Sequence, residues 1–143
     1  MNLKKKALPL LVGAVALPAL VLGPTGSASA ATNRSDACGT NACGSATLSF
    51  QSAYKTSVNM SVKDPYCNGY NGYIHLKVWH TDGTYTYTTK RYDTTGGNAC
   101  DGLYTSYNGL SWTDSKRISR IEARVGDDSG WSLVGNSVDN PYT

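Results

Sequence analysis

The sequence contains few of the residues from which enzyme active sites are usually built. It has two histidines, His75 and His80, and a single glutamate, Glu122, which lies between two arginines. No Gly-x-Ser-x-Gly nucleophile motif and no cofactor motif occurs in it. A general base needs a partner group within hydrogen-bond reach, so we interpret both histidines as ordinary strand residues beside one hairpin. The sequence therefore offers no catalytic residue and no cofactor site.

The chain also has little net charge once its N-terminal segment is set aside. There are 13 Lys and Arg against 10 Asp and Glu, and Lys4, Lys5 and Lys6 account for the whole excess. A domain without net charge has no general electrostatic attraction for nucleic acid or for an anionic membrane. We therefore expect neither as a partner.

The one long apolar run lies at the N-terminus. The three lysines precede apolar residues 7–22, and an Ala28-Ser29-Ala30 cleavage site follows. The run is too short and too rich in proline and glycine for a good membrane span, and no second candidate follows. This pattern predicts a secretory signal peptide over residues 1–30. The mature protein is then secreted, extracellular and without a membrane anchor.

Four cysteines follow the predicted cleavage site, namely Cys38, Cys43, Cys67 and Cys100. An even number in an exported chain indicates two disulfides with three possible pairings. We favour Cys38–Cys43, around a short polar stretch, and Cys67–Cys100, which would restrict the unfolded chain by roughly 3–4 kcal/mol. A metal site is the alternative, but Cys-x4-Cys is poor spacing for zinc and the histidines are distant in sequence.

Alternating residues predict β-strands through the rest of the chain. In the clearest run, residues 73–81, Ile74, Leu76 and Val78 lie on one face and are predicted to be the core side. The frequent turn signals predict an all-β fold, a single small antiparallel β-sandwich over residues 47–143. Residues 31–46 are small and polar and are predicted to form an N-terminal arm. The predicted strands cover residues 47–52, 57–63, 73–81, 84–92, 103–107, 117–125 and 131–138.

Turn residues mark the ends of several of these strands. Asp82-Gly83 predicts a tight hairpin, since a two-residue type I′ turn needs positive φ at both central positions. Asn108-Gly109 is predicted to end the strand before it.

The turn Asp127-Asp128-Ser129-Gly130 contains a weak calcium candidate, the carboxylate pair Asp127 and Asp128. Calcium takes six to eight oxygen ligands, and the spacing of an EF-hand is absent here. Asp and Gly are normal turn residues, so a plain hairpin turn is the favoured interpretation.

The ten tyrosines and three tryptophans are the most suggestive feature. Strand alternation places Tyr73, His75, Lys77 and Trp79 opposite the aliphatic core side. The hairpin brings Tyr85 and Tyr87 back beside them, and the register decides whether these two join that face or the core. We predict a surface that binds an extracellular protein or polysaccharide. Cross-strand pairs that merely stabilise the sheet are the alternative.

The Ala-Ser-Ala site, the paired cysteines and residues 138–143 resemble small secreted disulfide-containing β proteins of unknown function from filamentous Gram-positive bacteria. The resemblance implies a non-enzymatic interaction protein, an adaptor in an extracellular, antibacterial toxin-like complex that docks through the arm at residues 31–46. A carbohydrate-binding module is an alternative function. A small secreted hydrolase or an enzyme inhibitor is another.

Overall fold

The computed structural model describes residues 32–95 and 101–143. The predicted signal peptide and Cys100 lie outside these residues. No described residue is in a helix, and hence none belongs to a helix long and apolar enough to cross a membrane. The described chain forms nine strands: β1 (Thr32–Cys38), β2 (Cys43–Ser52), β3 (Lys55–Lys63), β4 (Gly72–His80), β5 (Tyr85–Tyr87), β6 (Arg91–Tyr92), β7 (Thr105–Thr113), β8 (Ile118–Asp127) and β9 (Ser132–Asp139).

Two antiparallel sheets pack face to face, which confirms the predicted all-β sandwich. The first sheet has the strand order β1-β2-β3-β7, and the second has the order β5-β4-β8-β9, with β6 also paired to β4. The core lies between their inner faces and includes the fully buried Phe50 and Leu48. Ile74, Leu76 and Val78 are buried there too, as predicted. Each such side chain stabilises the fold by roughly 1.5–3 kcal/mol through loss of apolar surface to water.

The N-terminal part of the domain differs from the predicted arm. Residues 32–38 form β1, which pairs along its whole length with β2, so residues 32–38 and 43–46 belong to the first sheet and residues 39–42 connect its two strands. The small side chains here are buried as well: Ala37, Ala42 and Ala46 belong to the hydrophobic core. Ser35 is buried, and its hydroxyl accepts a hydrogen bond from the Ala123 amide and donates one to the Asn136 carbonyl. Composition alone hides this role, since serine is usually exposed.

The disulfide Cys38–Cys43 is present, as predicted, and joins β1 to β2 at the tight connection between them. The second predicted pair, Cys67–Cys100, includes a cysteine outside the described residues. No cysteine in the described part of the chain is a free thiol. The second pair stays a prediction, which peptide mapping without reduction tests.

Asn108-Gly109 does not end a strand, because β7 continues through it as a β-bulge. The register between β3 and β7 shifts so that these two residues oppose Asn59 alone. Gly109 takes a φ of 69°, a conformation that glycine adopts without steric cost. Its amide donates to the Asn59 side-chain oxygen at 2.8 Å, which satisfies the donor that the bulge removes from the ladder.

The return strand predicted over residues 84–92 is interrupted, leaving the short strands β5 and β6. The Thr88 amide still donates to the Leu76 carbonyl, but the Leu76 amide donates to the Thr88 hydroxyl at 2.9 Å instead of to a carbonyl. The hairpin before it has a three-residue loop over residues 81–83, in which Gly83 has a φ of 81°. Because the loop has three residues instead of the two expected for a type I′ turn, Trp79 is paired with Tyr85.

The two lateral sides of the sandwich are unlike. On one side β1 approaches β9, where the Asp36 amide donates to the Asn136 side-chain oxygen at 2.8 Å and the Asn136 amide group donates to the Arg34 carbonyl at 2.9 Å. On the other side, within the described residues, β7 does not pair with β5 or β6. That side therefore leaves an opening above the core.

Candidate functional site

The predicted binding residues share the outer face of the second sheet. Trp79 is paired with Tyr85 and Lys77 with Tyr87, so the register places both tyrosines on the outside. Partners in an antiparallel pair lie on the same face. We call this surface the aromatic face; its residues are Tyr73, His75, Lys77, Trp79, Tyr85 and Tyr87. The neighbouring strand β8 adds Arg120, Glu122 and Arg124 beside them, a proximity that the sequence did not predict.

The rings of the aromatic face pack against one another across the strands. Trp79 and Tyr85 meet edge to face at a centroid distance of 5.1 Å, and Tyr85 meets Tyr87 in the same way at 5.4 Å. His75 is stacked on Tyr87 at 5.0 Å with the ring planes 6° apart. Such pairs contribute about 0.5–1.5 kcal/mol each beyond their buried area. The face is thus a connected cluster rather than a set of separate side chains.

Cations cover several of these rings. The Lys77 ammonium lies 3.8 Å from the Trp79 ring centre and 4.1 Å from that of Tyr85, and the Arg120 guanidinium lies 4.7 Å from that of Trp79. The Arg124 guanidinium donates to the Tyr87 hydroxyl oxygen at 2.7 Å. Cations over aromatic rings are attracted by the ring quadrupole. They also make the face electropositive.

The members of the face differ in what they offer to a partner. Tyr85 and Tyr87 are 49% and 40% exposed, while Tyr73 is only 7% exposed. The Lys90 ammonium lies 3.7 Å from the Tyr73 ring centre, and the Tyr92 ring meets its edge. Tyr73 is therefore covered by its neighbours, and Tyr85 and Tyr87 are the rings of the face that a partner can reach.

His75 is held in its neutral form. Partial burial, together with the charges of Arg124 and Lys90, lowers the pKa of His75 to about 4. The imidazole is therefore uncharged at neutral pH, which suits its stacking on Tyr87 next to two cations.

The calcium candidates have structural partners instead. Asp127 is buried, and its carboxylate accepts hydrogen bonds from the Asn41 side chain at 2.8 Å and from the Ser129 amide at 3.0 Å. Burial alone would raise the pKa of Asp127, but hydrogen bonds from Ser129, Asn41 and Asn68 outweigh it and lower the pKa below its ordinary value. Asp128 faces Tyr92 and Lys90. In residues 32–95 and 101–143, no group of three or more His, Cys, Asp or Glu is arranged to hold a metal ion.

One polar cluster was not anticipated from the sequence. His80 is buried, and its Nε2 lies 2.9 Å from the Asp114 carboxylate while its Nδ1 lies 3.0 Å from the Thr84 hydroxyl. Burial raises the pKa of Asp114, but hydrogen bonds from Lys116 and His80 outweigh it and keep that carboxyl ionised. An ionised carboxylate only accepts, so Nε2 carries the proton. Asp114 is distant from His80 in sequence, and no local sequence pattern predicts the contact.

The order Asp114, His80, Thr84 is that of a hydrolase triad, but the hydroxyl is already engaged. The Thr84 oxygen also contacts the Lys116 ammonium at 3.0 Å and the Asp82 carboxylate at 2.6 Å. The hydroxyl has one proton, which it donates to Asp82, and its oxygen accepts from Lys116, so no proton is left for it to give to Nδ1 of His80. The cluster therefore links the β4–β5 hairpin to the segment between β7 and β8. It gives the hydrolase alternative no free nucleophile.

Comparison with protein-family models, with curated proteins and with solved structures found no match to this chain.

Proposed function

We propose that this is a secreted, non-enzymatic binding protein whose aromatic face binds an extracellular protein. The observation that carries the proposal is the exposure of Tyr85 and Tyr87 above a packed base of rings and cations. Aromatic residues and arginine are enriched at the energetic centres of protein interfaces. The rings that pack against these two tyrosines limit their rotamers, so little side-chain entropy is lost on binding.

Secretion is supported by the disulfide Cys38–Cys43, because such bonds persist in oxidising compartments. It is also supported by the signal-peptide pattern of residues 1–30. The role is that of an adaptor in an extracellular complex. Because residues 32–38 and 43–46 are part of the first sheet, the adaptor docks through the aromatic face rather than through an N-terminal arm.

Charge specifies the kind of partner surface. Four cations, Lys77, Lys90, Arg120 and Arg124, lie on or beside the face, and the carboxylates among them are Glu122, Asp128 and Asp139, the cross-strand partner of Arg120. The patch therefore has an excess of one positive charge, although the mature domain is neutral. Complementary charge accelerates association and selects partners, so the partner surface is acidic.

A protein partner is favoured over a polysaccharide by the orientation of the rings. A sugar stacks on an open, flat ring face, but the Trp79 ring is covered by Lys77 and Arg120. One face of Tyr87 is covered by His75, and Tyr85 stands edge-on to its neighbours. A protein partner can contact both the edges and the faces of these rings, whereas a pyranose ring stacks on a ring face.

The test is affinity purification of the tagged mature protein from culture supernatant, followed by mass spectrometry. We expect a stoichiometric protein partner that is lost from the double variant Tyr85→Ser, Tyr87→Ser. The matched control is Tyr54→Ser, Tyr70→Ser, because those tyrosines are 44% and 48% exposed and lie outside the aromatic face. The control variant should retain the partner.

Two results contradict the proposal. One is equal loss of the partner from both double variants, which would place the interface elsewhere. The other is a monomer without a protein partner that is retained on a polysaccharide column, which would make the protein a carbohydrate-binding module.

A further inference from the structure

A pocket of about 200 Å³ opens on the unpaired side of the sandwich, away from the aromatic face. Its wall is formed by side chains of both sheets, and its apolar part consists of Val58, Met60, Leu76, Leu110 and Trp112. Leu110 and Trp112 are only partly buried, since β7 has no neighbouring strand on this side in the described chain. The pocket therefore reaches from solvent to the hydrophobic core.

Arg91 places a positive charge at this apolar pocket. In the β4–β6 pair it is the partner of the buried Ile74, so its side chain lies on the core side of the second sheet. It lines the pocket, and its guanidinium is 5.6 Å from the Tyr107 ring centre. No carboxylate of residues 32–95 or 101–143 is within salt-bridge distance of it. The nearby Asp93 is engaged with Asp64, Thr95 and Thr105 instead.

A cation at an apolar pocket without a protein counter-ion favours an amphiphilic anion. A guanidinium recognises a carboxylate through two parallel hydrogen bonds, and the aliphatic wall takes a hydrocarbon chain. The volume of the pocket limits the length of the hydrocarbon chain. An apolar cavity of about 150 Å³ holds benzene, so this pocket accommodates roughly eight to ten non-hydrogen atoms. We infer that the pocket binds a medium-chain carboxylate, with the carboxylate on Arg91 and the chain between Leu76 and Leu110.

The test is titration of the mature protein with sodium octanoate, monitored by amide chemical shifts in NMR and by tryptophan fluorescence, to which Trp112 in the pocket contributes. We expect saturable binding with shifts confined to β3, β4, β7 and the segment over residues 88–92, since Thr88 and Thr89 also line the pocket. Arg91→Gln should weaken octanoate about tenfold or more, because it removes a charge-assisted pair. The neutral probe 1-octanol should bind the wild type more weakly than octanoate and bind Arg91→Gln no worse than the wild type.

Lys90→Gln is the matched control, since Lys90 is adjacent in sequence but its ammonium lies over Tyr73 on the outer face. It should leave octanoate affinity within about twofold, because solvent screens a charge on the far side of the sheet. The inference is overturned if octanoate shows no saturable binding, if its shifts fall on Tyr85 and Tyr87 and not on β7, or if Arg91→Gln and Lys90→Gln weaken it equally. The thermal unfolding midpoint of each variant establishes that it is folded.

Discussion

The two outer faces of the sandwich share one backbone geometry and differ in chemistry. Outward positions of β2 and β3 form what we call the hydroxyl face: Ser45, Thr47, Ser49, Ser57, Asn59 and Ser61, with Gln51 and Lys63 at its ends. Outward positions of β4 and β5 form the aromatic face. Both sheets bury aliphatic residues on the inside, so neither outer face is needed to complete the core. The comparison shows that an outer sheet face can consist mainly of small polar residues, whereas the aromatic face adds contacts between rings and cations. It is the surface at which we propose that a partner binds.

The largest expected difference between the faces concerns Trp79. Trp79→Ala removes a partly buried ring together with its contacts to Tyr85, Lys77 and Arg120, and we expect it to lower the free energy of unfolding by about 2 kcal/mol. Thr47→Ala on the hydroxyl face should change it by about 0.5 kcal/mol or less. Urea unfolding at neutral pH measures both. Equal losses would mean that the aromatic face has no special cohesion.

Acid should weaken the aromatic face first. The pKa of His75 is about 4 in the folded protein against 6.5 for an unperturbed histidine, so between these pH values only the unfolded chain binds the proton. The free energy of unfolding should therefore fall as the pH drops from 6.5 to 4, by about 1 kcal/mol after allowing for solvent screening of this half-buried group.

His75→Gln should remove this slope and leave intact the loss at lower pH. That later loss comes from the carboxyls Asp93, Asp114 and Asp127, whose pKa values lie below their ordinary value of 3.8. A slope that persists in His75→Gln between pH 6.5 and 4 would assign the effect to another group.

Removing the central cation should have a smaller effect. Lys77→Gln loses the ammonium that lies over both Trp79 and Tyr85, and we expect a loss of about 0.5–1 kcal/mol in the free energy of unfolding. Lys55→Gln, at an exposed position that begins β3, should change it by a few tenths of a kcal/mol. The difference between the two should shrink in high salt if it is electrostatic.

The smallest expected effect belongs to the hydroxyl face. The Ser45 and Ser61 hydroxyls are 2.9 Å apart across β2 and β3. Ser61→Ala leaves the half-exposed Ser45 with access to water, so the loss should be about 0.5 kcal/mol or less in urea unfolding. A loss as large as that of Trp79→Ala would show that this face is also cohesive.

The core face of β4 is predictable because the alternation of Ile74, Leu76 and Val78 is local and has period two. Placement of Tyr85 and Tyr87 is not predictable in the same way. It depends on a hairpin register that an extra loop residue reverses, and the loop here has three residues. Most of the predicted site therefore follows from the sequence of β4, while its exposed tyrosines depend on the turn.

Two departures from expectation have a common cause. The segment over residues 32–46 has the composition of a polar arm because serine and alanine carry little apolar area, yet Ser35 is buried against the Asn136 carbonyl. His80 was expected to be an ordinary strand residue, yet it is buried on Asp114. In both, the partner group lies far along the chain, and a polar residue becomes a core residue only when that partner is supplied.

By itself the sequence determines the all-β character and the inward side of β4, and it favours the pairing of Cys38 with Cys43, because these depend on neighbours within a few residues. Tertiary structure alone decides the contact between β1 and β9, the opening beside β7 with Arg91 at its pocket, and the gathering of Arg120 and Arg124 beside the aromatic rings. Those features arise from which strands become neighbours. The packing of the whole core determines which strands become neighbours, and the alternation of residues along one strand does not predict it.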